Sequence, residues 1–158
     1  MFLKPSIAIA LAIAAAMLAA SSPASARDTL KGPYAAAIER VVDGDTIAVR
    51  VTIWLNQELT VLVRIRGIDA PEMRSRCAEE RDLADRARAR LALMTGDGPV
   101  VLTNITGEKY WGRVLADIAT AEGGDVAAAM LAAGLARPYS GGTRLSWCEA
   151  EVAADATD

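Results

Sequence analysis

Val63-Arg64-Ile65-Arg66-Gly67-Ile68-Asp69-Ala70-Pro71-Glu72 carries two arginines and two carboxylates across the end of a strand. Its start continues an alternation that begins at Leu59. Leu59, Val61, Val63 and Ile65 share one face of an extended strand, the expected core side, while Arg64 and Arg66 share the other face with Leu62 and point away from the core. The strand then ends, and two carboxylates follow, Asp69 and Glu72, with Pro71 restricting the backbone between them. Charge is concentrated here at positions that folding does not require to be charged.

Upstream, Ile38 to Val42 is a short β-type run that ends in the turn signal Asp43-Gly44-Asp45-Thr46. Thr46 to Leu55 alternates and is rich in Val, Ile and Thr, and Asn56-Gln57 turns the chain into the strand ending at Ile65. Downstream, Cys77 to about Met94 has helical periodicity, with Leu83, Ala87, Leu91 and Met94 forming one apolar stripe. The arginines of this helix, Arg86, Arg88 and Arg90, fit a solvated face better than a nucleic-acid-binding one. Val100 to Ile105 and Arg113 to Thr120 read as two more strands. Gly123-Gly124 turns into a short helix from Asp125 to Ala133 that stops at Gly134, and the chain after Pro138 is loop-like.

Three segments carry the unexplained charge: Asp43-Gly44-Asp45-Thr46, the Arg64 to Glu72 stretch, and Lys109-Tyr110-Trp111-Gly112-Arg113. Each alone has a plain structural reading, as a turn, a helix-capping loop or a strand entry. Together, and in this order, they resemble the staphylococcal nuclease (thermonuclease) family over roughly Glu39 to Tyr139. The resemblance implies a mainly β fold with α: a five-stranded OB-fold barrel with one long and one short helix and a C-terminal helix shortened or absent. It also implies a calcium-dependent phosphodiesterase acting on DNA and RNA that leaves 3′-phosphate and 5′-hydroxyl ends.

Carried over by position, Asp45 and Asp69 match the metal-binding aspartates, and Ala70 stands where the family supplies a main-chain carbonyl to the metal. Glu72 matches the glutamate that orients or deprotonates the attacking water, and Arg64 and Arg113 match the two arginines that grip the reacting phosphate. Lys109 and Tyr110 fall near substrate-phosphate contacts, and Tyr139 near a tyrosine that packs on the nucleotide. The chemistry is consistent with this division. Calcium takes oxygen ligands in loose geometry, guanidiniums present paired donors to a phosphate gaining charge, and a carboxylate is the available base for water. The segment from Lys109 to Arg113 is one residue longer than the family's Lys-Tyr-Gly-Arg, which leaves the register of Lys109 and Tyr110 open; Gly112 anchors Arg113.

Composition narrows the alternatives. The 158 residues contain no His and two Cys, which excludes His-based nucleophile pairs and general bases, His-containing zinc sites, and a zinc site made of cysteines alone. Residues 1–26 read as a signal peptide. Lys4 supplies the positive start, Ile7 to Ala20 is a 14-residue apolar run too short to span a bilayer comfortably, and Ala24-Ser25-Ala26 suits cleavage before Arg27. Export to the periplasm or outside the cell is therefore expected, with no membrane anchor after cleavage and a monomeric product. Residues 27–148 would form the domain and 149–158 an acidic flexible tail. In an oxidising compartment Cys77 and Cys148 are expected to pair, closing a 71-residue loop. In the chain-entropy account such a bond is worth roughly 4 kcal/mol. It could tie the tail to the segment just after Glu72 in place of a third helix.

Without Lys4 the chain has 16 basic and 20 acidic residues, a net charge of −4, whereas unspecific nucleic-acid binding draws on excess positive charge. Clustering of Arg64, Arg66, Arg74, Arg76 and Arg113 around one cleft would offset this locally. The competing reading is a non-catalytic OB-fold module that binds nucleic acid or another ligand. Three Trp, three Tyr and one Phe offer it few stacking platforms.

Overall fold

The computed structural model describes residues 29–108 and 112–148. The expected signal peptide (1–26) and acidic tail (149–158) lie outside the described residues. The elements in chain order are β1 (Thr29–Leu30), β2 (Tyr34–Val41), β3 (Thr46–Trp54), β4 (Gln57–Ile65), β5 (Ile68–Asp69), α1 (Ala78–Thr95), β6 (Pro99–Gly107), β7 (Arg113–Thr120), α2 (Val126–Ala132) and β8 (Arg137–Pro138).

Strands β2, β3 and β4 form an antiparallel meander. β4 then pairs in parallel with β7, β7 antiparallel with β6, and β6 antiparallel with β2, which closes a five-stranded barrel. β1 extends β2 along the same edge of β6. The period-two alternation supplies the interior: Ile47 and Val49, Val63 and Ile65, Val100 and Leu102, and Ala116 and Ile118 all belong to one buried core. Ala87 and Leu91 of α1, with Val126 and Met130 of α2, join that core from outside the barrel. Asp125 caps α2, its carboxylate accepting from the Ala128 N–H at 3.0 Å. Gly134, at φ +66°, ends that helix as its sequence suggested, with the Leu135 N–H reaching back to the Met130 carbonyl.

Leu59 departs from its expected place in the core: it is 49% exposed. β2 pairs with β3 no further than Arg50, and β7 reaches β4 only from Leu62, so the end of the β3–β4 hairpin projects beyond the barrel. Residues 52–60 are accordingly exposed.

The short β5–β8 ladder matters most for function. It pairs Ile68 with Pro138 and Asp69 with Arg137, so the segment after α2 runs beside the carboxylate-bearing turn. Cys77 and Cys148 form a disulfide with Cα atoms 6.0 Å apart, closing the far end of the same segment onto the start of α1.

Candidate active site

The turn between β2 and β3 places the first carboxylate. The Asp43 side chain accepts the Asp45 N–H at 3.0 Å, and the Val42 N–H reaches the Thr46 carbonyl at 2.9 Å. Gly44 lies so close to its neighbours that a Cβ there would sit 2.7 Å from the Cβ atoms of both Ala70 and Ala87. The absence of a side chain is what lets the turn rest on α1 and on the turn after β5.

Asp45 is therefore buried, 2% exposed. Its Oδ1 accepts from Arg64 Nη1 at 2.7 Å and from the Thr46 hydroxyl at 3.0 Å, and its Oδ2 accepts the Ala70 N–H at 3.0 Å. Burial pushes the Asp45 carboxyl up to about 6, and the adjacent Arg64 guanidinium pulls it back only in part. Such a carboxylate gains from further positive charge brought against it. Asp69, also buried, faces Arg64 Nη2 at 3.4 Å.

Arg64 lies on the strand face that the alternation assigns to it. It points away from the barrel interior, as the alternation requires, yet it is buried, because the Asp45 turn and β5 fold over it. Its two amino groups are divided between the aspartates, and Nη2 also donates to the Ile68 carbonyl at 3.3 Å. The Tyr139 ring lies 5.9 Å from its guanidinium carbon.

Glu72 follows the fully buried Pro71. Its N–H donates to Glu80 Oε1 at 2.9 Å, while its side chain remains 52% exposed. Glu80, in the first turn of α1, is itself buried and also accepts the Ser75 hydroxyl. Cys77, Glu80 and Cys148 lie close together, but the two sulfurs are bonded to each other, so the group lacks the thiolates of a metal centre.

The remaining charges converge from the other side. Arg113 opens β7 opposite Leu62 of β4 and pairs with Glu108. Arg144, in the loop after β8, sets its guanidinium among three carboxylates: it pairs with Asp69 and with Glu72, and its Nη2 lies 3.7 Å from Asp45 Oδ2. Arg64, Glu72, Glu108, Arg113, Tyr139 and Arg144 line one open cavity of about 340 Å³.

The fold thus brings together Arg64, Asp45, Asp69, Ala70, Glu72, Arg113 and Tyr139, with the Cys77–Cys148 bond alongside. Lys109 and Tyr110 lie outside the described residues. Arg66 does not line that cavity; it borders a neighbouring one with Arg64, Glu108 and Tyr139. It donates to the carbonyls of Asn104 and Leu115 and to the Thr106 hydroxyl, and its Nε is 3.1 Å from Asp117, an ion pair too oblique to be a hydrogen bond. Arg74 and Arg76 are exposed.

Sequence reasoning missed Arg144, Glu80 and Glu108. A signal for the first existed: Arg144 precedes Cys148 by four residues and Glu72 precedes Cys77 by five, so a Cys77–Cys148 bond already brings the two segments together.

The donor set suits a hard divalent cation. Three carboxylates converge on one positive group, two of them are buried, and all the ligand atoms on offer are oxygens. The Arg144 guanidinium lies among all three, paired with Asp69 and Glu72 and 3.7 Å from Asp45.

A family model described as staphylococcal nuclease homologue matches residues 62–152. The matched stretch contains Arg64, Asp69, Glu72, Arg113, Tyr139 and Arg144. Asp45 precedes it and reaches the site through the β3–β4 pairing, which sets Thr46 opposite Arg64. No curated protein sequence matches the chain.

Proposed function

The chain belongs to the staphylococcal nuclease family, and from that premise we propose that it is an exported, calcium-dependent nuclease that hydrolyses phosphodiester bonds of DNA, RNA or both. The observation that carries the reading is the convergence of Asp45, Asp69 and Glu72 around the Arg144 guanidinium, beside a cavity bordered by Arg64 and Arg113.

Asp45, Asp69 and the main-chain carbonyl of Ala70 would hold calcium, with Glu72 at the solvent edge. When bound, the ion supplies positive charge against the phosphate and acidifies nearby water. Arg64 and Arg113 oppose the charge that the phosphate gains in the transition state, and a guanidinium does so without losing its own charge. Arg113 is oriented for this by Glu108, and Arg64 by the two aspartates.

Glu72 is the base. It is the most exposed of the three carboxylates, and its backbone is held by Glu80. A water gives a proton to the Glu72 carboxylate as its oxygen bonds to phosphorus. The bond from phosphorus to the 5′-oxygen breaks, and that oxygen takes a proton from solvent to become a hydroxyl, leaving a 3′-phosphate. Tyr139 borders the same cavity, where a nucleotide ring could pack on it.

Export through residues 1–26 is supported by the disulfide, a bond that persists in oxidising compartments. Among the described residues no helix is long and apolar enough to cross a membrane. The exported product is proposed to act as a monomer.

Incubating the full chain with DNA and with RNA in calcium, then with a chelator, tests the reading. Cleavage that stops on chelation, with an unchanged far-ultraviolet circular dichroism spectrum, is the expected result. Nucleic acid bound but uncut in calcium would assign the chain to the binding-module class.

A further inference from the structure

Arg144 is not part of the catalytic set carried over from the resemblance, yet it pairs with Asp69 of the proposed metal site and with Glu72, and its Nη2 lies 3.7 Å from Asp45, the site's other carboxylate. Its side chain is 36% exposed, so its partners and not close packing hold it there. The loop that carries it is fixed at both ends. At one end the Tyr139 N–H donates to the Gly67 carbonyl at 2.9 Å. At the other, Arg137 donates to the Ser146 carbonyl at 2.8 Å and stacks 3.7 Å from the Trp147 ring, and Cys148 is bonded to Cys77. Between these anchors, Gly141 and Gly142 adopt φ of +109° and +93°, a conformation that suits glycine, and the Tyr139 hydroxyl donates to the Gly142 carbonyl at 2.8 Å.

A guanidinium tethered in this way is a cation at high effective concentration. It and a divalent ion require the same oxygens of Asp45 and Asp69, and those oxygens cannot serve both. Resting on the metal-dependent reading above, we propose that Arg144 sets the calcium affinity of this site by occupying it as a tethered internal cation that calcium must displace. The apparent affinity is then the intrinsic one reduced by the fraction of molecules in which Arg144 has left. The disulfide and the Arg137–Trp147 stack are the parts that keep Arg144 within reach.

Calorimetric titration of the full chain with calcium alone, on the wild type and on Arg144→Gln, Arg144→Lys and Arg88→Gln, tests this. Arg88 lies on the exposed face of α1 and controls for loss of one positive charge elsewhere on the surface. Arg144→Gln should bind calcium at least about tenfold more tightly, the scale of one lost charge-assisted hydrogen bond. Arg144→Lys and Arg88→Gln should stay within about threefold of the wild type, less than the scale of one such bond. DNA cleavage by Arg144→Gln should half-saturate at correspondingly lower calcium.

Calcium affinity in Arg144→Gln equal to or weaker than in the wild type overturns the inference, and the nuclease reading survives if that variant still cuts DNA in calcium. Equal tightening in Arg144→Gln and Arg144→Lys overturns it as well, because bulk and not charge would then be responsible. Failure of both the wild type and Arg144→Gln to bind calcium overturns the metal-dependent reading and this inference with it.

Discussion

Gly44→Ala is the perturbation whose effect can be worked out most directly from packing. The added Cβ would lie 2.7 Å from the Cβ of Ala70 and 2.7 Å from that of Ala87. Carbon atoms pack favourably at about 3.5–4.0 Å, so each contact falls short by about 1 Å. Neither neighbour can turn aside, since both atoms are methyl groups fixed to the backbone, one in α1 and one beside Pro71. The turn itself must therefore move. Overpacking of this kind costs about 1–3 kcal/mol, which lowers the melting temperature of a domain of this size by about 4–12 °C.

Moving the turn away from Ala70 also stretches the 3.0 Å bond from the Ala70 N–H to Asp45 and shifts that carboxylate against Asp69. A displacement near 1 Å in a catalytic constellation lowers the rate by about 10²-fold. Thermal denaturation and DNA-cleavage rates on Gly44→Ala read both effects. Gly98→Ala serves as the control, because its Cβ meets nothing within 4 Å; it should be neutral or slightly stabilising. A Gly44→Ala protein with wild-type melting temperature and rate would refute the packing argument.

Arg66→Ala should lower stability by about 1–3 kcal/mol, since Arg66 serves the Asn104 and Leu115 carbonyls at the β6–β7 seam. Its cleavage rate per folded molecule should match the wild type, and a rate loss without destabilisation would place Arg66 at the substrate after all. Thiol labelling of the protein as exported should find no free cysteine. The double variant Cys77→Ser with Cys148→Ser should lose about 2–5 kcal/mol in urea titration, and unchanged stability would show that the bond does not constrain the unfolded chain.

Much of the barrel was legible because its strands alternate. Val63 and Ile65, or Val100 and Leu102, announce a buried face by period alone, and the Asp43–Thr46 turn and Gly134 stop are chemical signals that stay local. β5 and β8 were not legible, because two residues carry no periodicity and their pairing depends on how the chain returns after α2. Leu59 was misread for a related reason: alternation tells which face of a strand a residue occupies, and the length of the neighbouring strands decides whether anything covers that face.

The site divides in the same way. Asp45, Asp69 and Glu72 sit in segments whose charge folding leaves unexplained, so they could be found in the sequence. Arg66 carries the same kind of charge on the same strand face as Arg64, and only the positions of Asp117 and the Asn104 carbonyl separate its role from that of its neighbour. Glu80 reads as an ordinary acidic residue of a helix's first turn, and only the tertiary fold turns it into the buried acceptor behind Glu72.

In the proposed phosphodiesterase site of Asp45, Asp69, Glu72, Arg64 and Arg113, Glu72 takes the proton from water. The most direct test of that role is the single-turnover cleavage rate of a defined oligonucleotide by Glu72→Gln and by the wild type, both at saturating calcium. An amide cannot accept the proton, so Glu72→Gln should lose about 10²–10⁴-fold in rate, a loss that added calcium does not restore. A Glu72→Gln rate equal to the wild type at saturating calcium would contradict that role.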